Sequence, residues 1–180
     1  VCTEYMPTAV AALMNKIMFG TKKVTNATNL VGPYVNCKAA NKKEYDGDAP
    51  TLKQLLELKA LVLAANIMPE NMCYVMTETT KALLEATPKW DGANVAIVDD
   101  NGRINGVPVF TTSYAEEGVI EFGAFKYAPQ GMFGDMTFIV DPYSKSRENA
   151  IDFVLNANYA VSVLRQEAFA MLTKSAGVGG

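Results

Sequence analysis

The acidic side chains are the groups in this sequence best suited to chemistry. Two pairs of neighbours occur in turn-rich stretches, Asp99 with Asp100 and Glu116 with Glu117. Paired carboxylates act as general acid and base when a pocket shifts the pKa of one of them. Adjacent acids on loops more often form solvated surface, so a small carboxylate-dependent enzyme is the weaker interpretation of these four residues.

Other catalytic and ligand-binding groups are missing from the sequence. The 180 residues include no histidine, the commonest general base and metal ligand, so neither a Ser-His-Asp nor a Cys-His arrangement can be built. The cysteines Cys2, Cys37 and Cys73 are too widely spaced for a thiolate zinc site, and we expect reduced, mostly buried thiols. The glycines of residues 177–180 lack the strand and helix of a phosphate loop and indicate a disordered end. We therefore expect no enzyme, metal or cofactor.

Composition narrows the remaining classes. Apolar residues make up 49% of the chain, enough for a sizeable core in one body, with room for a second lobe. The formal net charge is -3 and no basic run occurs, so the pattern typical of direct nucleic-acid binding is absent. No apolar stretch is long enough to span a membrane. A generic binding module stays open as a further class, although no sequence feature favours it.

Helical patterns occur in three places. Residues 4–19 carry an apolar stripe at spacings of three and four, rich in methionine. Residues 21–50 are polar and rich in turn formers, which predicts a long loop that is functional or flexible. Thr51 and Gln54 form a potential capping box before a second helix, and Thr77 is a suitable N-cap for a third helix over 78–86.

Strands are expected between and after these helices. The stretch 104–112 should be a strand at a sheet edge or bulge, because Pro108 lacks the N–H that a central strand needs. Residues 151–163 alternate between apolar and polar types, which predicts a long strand or hairpin with one buried face. Together the patterns predict one mixed α+β body. Further short strands are expected at 72–76, 95–98, 119–122, 137–140 and 167–172.

Five short passages in a fixed order resemble one known family. They are Tyr-Val-Met-Thr at 74–77, the turn and strand at 99–109, Val-Ile-Glu-Phe-Gly-Ala-Phe at 119–125, Asp-Pro-Tyr-Ser at 141–144, and Leu-Arg-Gln-Glu-Ala-Phe at 164–169. In this order they resemble the tailed-bacteriophage major capsid proteins, which share the Hong Kong 97-type fold. The positions that match the family's structural motifs are Gly106, Pro108, Val109, Gly123, Asp141, Pro142, Arg165, Ala168 and Phe169.

The resemblance implies an α+β subunit with two lobes. Residues 1–50 and 141–180 would belong to a peripheral lobe, made of a spine helix and long C-terminal strands. Residues 51–140 would form an axial lobe, a mixed sheet with flanking helices. The N-terminal arm and the extended loop of the family have no counterpart here, so the chain is expected to be a C-terminal core.

The resemblance also implies a function. The chain would be a structural subunit of an icosahedral viral or prophage capsid, assembling in the bacterial host cytoplasm into pentamers and hexamers that enclose DNA. Its partners would be copies of itself, together with scaffold and portal proteins, while packaged DNA would be contacted only indirectly. No membrane partner is implied. An encapsulin-like bacterial compartment shell is the alternative on the same fold.

Contacts between copies are expected in loops of the axial lobe. The turns at 91–92, 101–102 and 131–134 are the candidates, and the face of the long C-terminal strand is expected to be core. Some family members crosslink subunits through a lysine, an asparagine and a glutamate. Asn149 falls near the asparagine position and Asn156 replaces the glutamate, so we interpret Asn149 as a turn residue and predict no crosslink.

Overall fold

The computed structural model describes residues 2–25 and 29–175. The C-terminal glycines, for which the sequence predicts disorder, lie outside these residues. Three α-helices are formed, α1 (Cys2–Phe19), α2 (Leu52–Ala64) and α3 (Glu78–Ala86). The strands are β1 (Lys42–Tyr45), β2 (Met72–Met76), β3 (Arg103–Ile104), β4 (Val107–Thr111), β5 (Val119–Ala124), β6 (Gln130–Met132), β7 (Thr137–Asp141), β8 (Asp152–Asn156), β9 (Tyr159–Val161) and β10 (Phe169–Lys174).

The N-termini of α2 and α3 follow the predicted caps. The Thr51 hydroxyl accepts a hydrogen bond from the Gln54 amide, and the Gln54 side chain accepts one from the Thr51 amide, which completes the capping box. Thr77 caps α3 in the same way by accepting from the Thr80 amide. These caps satisfy amides that a helix start leaves without partners, so both helices begin where the sequence predicted.

A six-stranded mixed sheet organises the fold, in the order β1-β10-β5-β2-β4-β3. The strand β5 pairs antiparallel with β10 on one side and with β2 on the other. The edge strand β1 pairs parallel to β10 and lies inside the stretch predicted as a loop, which corrects that expectation. Its sequence, Lys-Lys-Glu-Tyr, shows no alternation of apolar and polar residues. Only Tyr45 of this strand is buried. The sheet takes β1 and β10 from the segments 1–50 and 141–180, and its other strands from 51–140.

The β3–β4 hairpin accounts for the proline in the predicted 104–112 strand. Asn105 and Gly106 form its two-residue turn, both at positive φ (47° and 82°), a conformation that asparagine and glycine tolerate. Pro108 pairs with Arg103 of the edge strand, one residue before β4 begins to pair with β2. Pro108 therefore lies outside the β2–β4 ladder, and its lack of an N–H removes no hydrogen bond from that ladder. By contrast, the predicted 95–98 strand is wrong, since that stretch forms only an isolated bridge at Ala96.

The two faces of the sheet pack against different elements. On one face the Tyr74 hydroxyl donates to the Leu55 carbonyl at 2.9 Å, fixing β2 against the buried stripe of α2. On the other face, Phe169 meets the ring of Tyr34 edge-on at a centroid distance of 5.7 Å. Tyr34 belongs to residues 29–41, here called the cover segment, which lies over β5 and β10 together with the end of α1. The core is thus double-sided, with β5 buried along its whole length.

Candidate interaction surface

A long hairpin, residues 127–164, carries most of the exposed apolar side chains. It consists of two consecutive antiparallel ladders, β6 with β9 and then β7 with β8. The two ladders are joined by one bond from the Phe133 amide to the Asn158 carbonyl at 2.9 Å. The alternating segment 151–163 is therefore extended, as predicted, but it forms only the second arm of a hairpin whose first arm, β6 and β7, lies outside it. It is interrupted after β8, so it is not one continuous strand.

The burial of this segment differs from the prediction. All residues from 129 to 140 are exposed, and β8 is only exposed or half-buried. The expectation that one face of the C-terminal strand forms core is therefore wrong for β8, whereas Val161 and Val163 do pack partly against the core. Eleven of the seventeen exposed large apolar side chains in the described part of the chain lie on the long hairpin. They are Met132, Phe133, Met136, Phe138, Ile139, Val140, Tyr143, Ile151, Phe153, Val154 and Leu164.

The distal ladder is apolar on both faces. On one face Phe138 stacks on Phe153 with ring centroids 5.8 Å apart, beside Val140. On the other face Ile139 is paired with Val154, and the two are 45% and 43% exposed. Each of these strands packs mainly against the other. A two-stranded ribbon without a further layer is at most marginally stable in water, so these faces are suited to burial by a partner.

The area available for such burial is large. An aromatic side chain has roughly 150–250 Å² of surface and the aliphatic ones have less. The eleven side chains retain between 37% and 83% exposure. The hairpin therefore presents on the order of 800 Å² of apolar side chain, close to what one partner contributes to a standard protein–protein interface. Single apolar residues elsewhere on the surface do not reach this size.

The tip of the hairpin is ordered by Asp141. One oxygen of its carboxylate accepts from the amides of Tyr143 (2.8 Å) and Ser144 (3.2 Å), and the other accepts from the Ser144 hydroxyl. The Ser144 hydroxyl, followed by these two amides, holds the pKa of Asp141 below its usual value. Pro142 follows Asp141 directly in this turn. Asn149 adopts a positive φ of 52°, which agrees with its interpretation as a turn residue.

The base of the hairpin is fixed to the body by Arg165. Its guanidinium donates to the Ala65 carbonyl at 2.9 Å, at the end of α2, and lies 5.9 Å from the centroid of the Tyr127 ring. A charge-assisted bond to a carbonyl combined with a cation–π contact gives this residue two anchors. The body-facing end of the hairpin is therefore held, whereas the distal ladder is free to meet another molecule.

The remaining family-motif positions lie in the body. Ala168 and Phe169 are fully buried beside Gly123, Val109 pairs with Tyr74 across the β4–β2 ladder, and Gly106 and Pro108 occupy the β3–β4 hairpin described above. These positions shape the sheet and its turns, and they do not converge on a single site. Their functional role stays a prediction.

One member of each acidic pair has a structural partner. One carboxylate oxygen of Asp99 accepts from the amides of Asn101 (3.0 Å) and Arg103 (2.8 Å) and so closes a turn. Glu116 forms an ion pair with Lys22 at 3.5 Å. Across residues 2–25 and 29–175, no cluster of acidic or cysteine side chains could hold a metal ion, and no helix is long and apolar enough to cross a membrane. The buried, free thiols of Cys37 and Cys73 agree with the prediction made for them.

Comparison with known proteins identifies the family. The model of the phage capsid family matches residues 1–174, so the chain belongs to this family. Among solved structures, the capsid of an empty GTA particle aligns with a TM-score of 0.70 at 15% identity, over 97% of this chain and 65% of the other. The structure titled Gordonia phage Cozz gives 0.69 at 13% identity, over 96% and 62%. A search of curated proteins gave no match.

A shell of another kind is also similar. An encapsulin from Synechococcus elongatus aligns with a TM-score of 0.61 at 14% identity, over 95% of this chain and 63% of the encapsulin. At these identities the likeness establishes the fold, which is the Hong Kong 97-type fold that the five sequence passages predicted. The chain spans less than two thirds of the length of these three structures.

Proposed function

We propose that this chain is the folded core of a capsid shell subunit that assembles with copies of itself into pentamers and hexamers enclosing DNA. The family assignment supports a viral shell over the encapsulin-like alternative. The observation that carries the proposal is the distal ladder of the long hairpin, whose apolar faces have no covering layer within the described chain. Such surfaces are typical of protein–protein interfaces rather than of catalytic sites.

The same proposal includes the finer assignments. The subunit would act in the virion capsid after assembly in the host cytoplasm, with scaffold and portal proteins as further partners. The segments 1–50 and 141–180 would form a peripheral lobe and 51–140 an axial lobe. The contacts in a ring are heterologous, so the hairpin of one copy would dock on a different patch of its neighbour.

A pair of matched substitutions tests where the contact lies. Val154 in the distal ladder and Val95 near the 91–92 turn are 43% and 50% exposed, so an aspartate at either site adds the same charge at a similar cost to folding. In the full-length protein, Val154→Asp is expected to abolish rings and shells, because it places a charge in a face that must lose water. Val95→Asp is expected to leave them intact. Negative-stain microscopy and sedimentation velocity measure the outcome.

The controls separate the function from the surface. Unchanged far-ultraviolet circular dichroism shows that each variant is folded. Rings or closed shells formed by the unsubstituted protein support the shell function, and a strictly monomeric protein at high concentration contradicts it. Normal shells from Val154→Asp would leave the function standing but remove the hairpin as its interface. Loss of assembly in Val95→Asp alone would place the interface in the predicted loops.

A further inference from the structure

Glu121 is a buried acid without a partner. It lies in β5 at the centre of the sheet with 0% of its surface exposed. Neither of its carboxylate oxygens has a hydrogen-bond partner in the described chain, and the same holds for the Tyr34 hydroxyl. Buried polar groups are almost always paired, because an unpaired one costs several kcal/mol of desolvation. Two such groups on one side of one sheet are therefore a feature that needs a physical account.

Strand alternation and register place Glu121 on the same face of the sheet as the cover segment. Val75 and Met171 flank it on the neighbouring strands, on the face that carries Phe169 and Gly123. The ring of Tyr34, which comes from the cover segment, packs edge-on against Phe169 at 5.7 Å on this same face. The Glu121 charge is close enough to contribute to the raised pKa of Tyr34. The acid thus lies on the face of the sheet that the cover segment and the end of α1 cover together.

No cation compensates this acid within the described residues. Glu116, which precedes β5, is the charge that acts on Glu121, and Glu121 in turn acts on Tyr34 of the cover segment together with Cys73 and Cys37. Burial raises the pKa of Glu121 well above its usual value, and the Glu116 carboxylate adds to the rise. Burial likewise raises the pKa of both cysteines to about 11, with the Lys42 charge opposing the rise at Cys37. Burial and the Glu116 charge therefore both favour the neutral form of the Glu121 carboxyl.

The cover segment is held less firmly than the sheet. It contains a few turn bonds, such as the Cys37 amide to the Tyr34 carbonyl at 3.4 Å, and one turn of 3-10 helix ending at Asn41. Its ties to the sheet include two bonds to the Phe169 carbonyl, from the Cys37 thiol (3.2 Å) and from the Asn41 amide group (2.9 Å). The strand β5, in contrast, is bonded on both sides. Local opening in this region should therefore move the cover segment first.

We propose that Glu121 is a proton-controlled latch: its protonated carboxyl keeps the cover segment closed on β5, and loss of the proton favours a state in which residues 29–41 lift and admit water. An ionised carboxylate in this apolar space has no partner. Opening of the cover segment would let water solvate it and so lower its free energy. The latch is a property of the fold and does not depend on the proposed shell function.

The two buried thiols under the cover segment report its opening. We would measure alkylation of Cys37 and Cys73 by iodoacetamide between pH 6 and pH 9, with peptide mass spectrometry to separate the sites. The unsubstituted protein, Glu121→Gln and Glu117→Gln would be compared at the same pH. The effect of pH on thiol ionisation is then common to all three proteins. Glu117 is exposed and neutralises a charge in the same region without touching the buried site.

The expected result is specific to one variant. At pH 9 the unsubstituted protein and Glu117→Gln should be labelled at Cys37 at least about tenfold faster than Glu121→Gln, and at pH 6 all three should be similar. Amide hydrogen exchange should show faster opening with pH in residues 29–41 but not in α2. Equal labelling of the Glu121→Gln and unsubstituted proteins at every pH would overturn the latch. Equal acceleration of exchange in α2 would also overturn it, since opening would then be global.

Discussion

At pH 8 the Glu121→Gln variant is expected to unfold at a clearly higher urea concentration than the unsubstituted chain, whereas at pH 4 the two midpoints should nearly coincide. The reason is proton linkage at a single buried acid. In the unfolded chain Glu121 ionises with an ordinary pKa of about 4.3. In the folded chain burial raises the pKa well above its usual value, so the carboxyl stays neutral over a wider range.

The sign of the pH effect follows from these two states. Above the unfolded pKa the unfolded chain releases a proton that the folded chain retains, so stability falls as pH rises. The folding equilibrium should weaken by about tenfold for each pH unit until the folded pKa is reached. Glutamine has the same shape without a proton to lose, so its profile should lack this decline. Urea unfolding followed by circular dichroism between pH 4 and pH 9 measures both profiles.

The control for this prediction is Glu117→Gln, which removes an exposed carboxylate close in sequence. It should retain the decline of the unsubstituted chain. Parallel profiles for Glu121→Gln and the unsubstituted chain would show that Glu121 is ionised and solvated in the folded state. That result would contradict the burial on which the argument depends.

Gly123→Ala should destabilise the fold strongly, by about 3 kcal/mol. A Cβ at this position would lie 2.4 Å from Cδ1 of Phe169 and 3.3 Å from the Ala168 carbonyl oxygen. The ring cannot move aside easily, because Tyr34 and Phe125 both contact it edge-on at 5.7 Å. Overpacking of a close-packed core typically costs about 1–3 kcal/mol. Here the Ala168 backbone also prevents the added methyl group from shifting away from the ring. Urea unfolding at a fixed pH measures the loss.

Gly131→Ala is the matched control, because nothing lies within 4 Å of a Cβ there and φ is not positive. Its midpoint should be unchanged or slightly higher, since alanine restricts the unfolded chain. Combining Gly123→Ala with Phe169→Leu should cost less than the sum of the two single changes, because a smaller side chain makes room for the methyl group. Strict additivity would show that the contact with Phe169 is not the cause.

The elements that the sequence predicted well are those whose signals are local. The capping box at Thr51, the N-cap at Thr77 and the buried run of β2 each depend on residues a few positions apart. The strand β1 was missed because it is an edge strand whose pairing partner, β10, lies at the other end of the chain. Its polar sequence carries no information about that distant partner.

The interaction surface was predicted only in part. The alternation in residues 151–163 correctly indicates extended structure with one apolar face. It does not indicate whether that face is buried by the same chain or by another molecule. Phe138 and Ile139 were therefore assigned to a short strand and not to a surface. Glu121 lies within a passage that resembles the family, yet its burial without a partner is visible only once the cover segment is folded over it.

The parallel pairing of β1 with β10 has a consequence for biosynthesis. Asn41, immediately before β1, bonds to the Phe169 carbonyl across 128 residues of sequence, and β10 lies between β1 and β5. The strand β10 can therefore take its place between β1 and β5 only after the 128 residues that separate Asn41 from Phe169 have been synthesised. At about 5–20 residues per second this takes on the order of ten seconds. Such late, long-range closure predicts slow folding, during which open strand edges are vulnerable to mispairing on crowded polysomes.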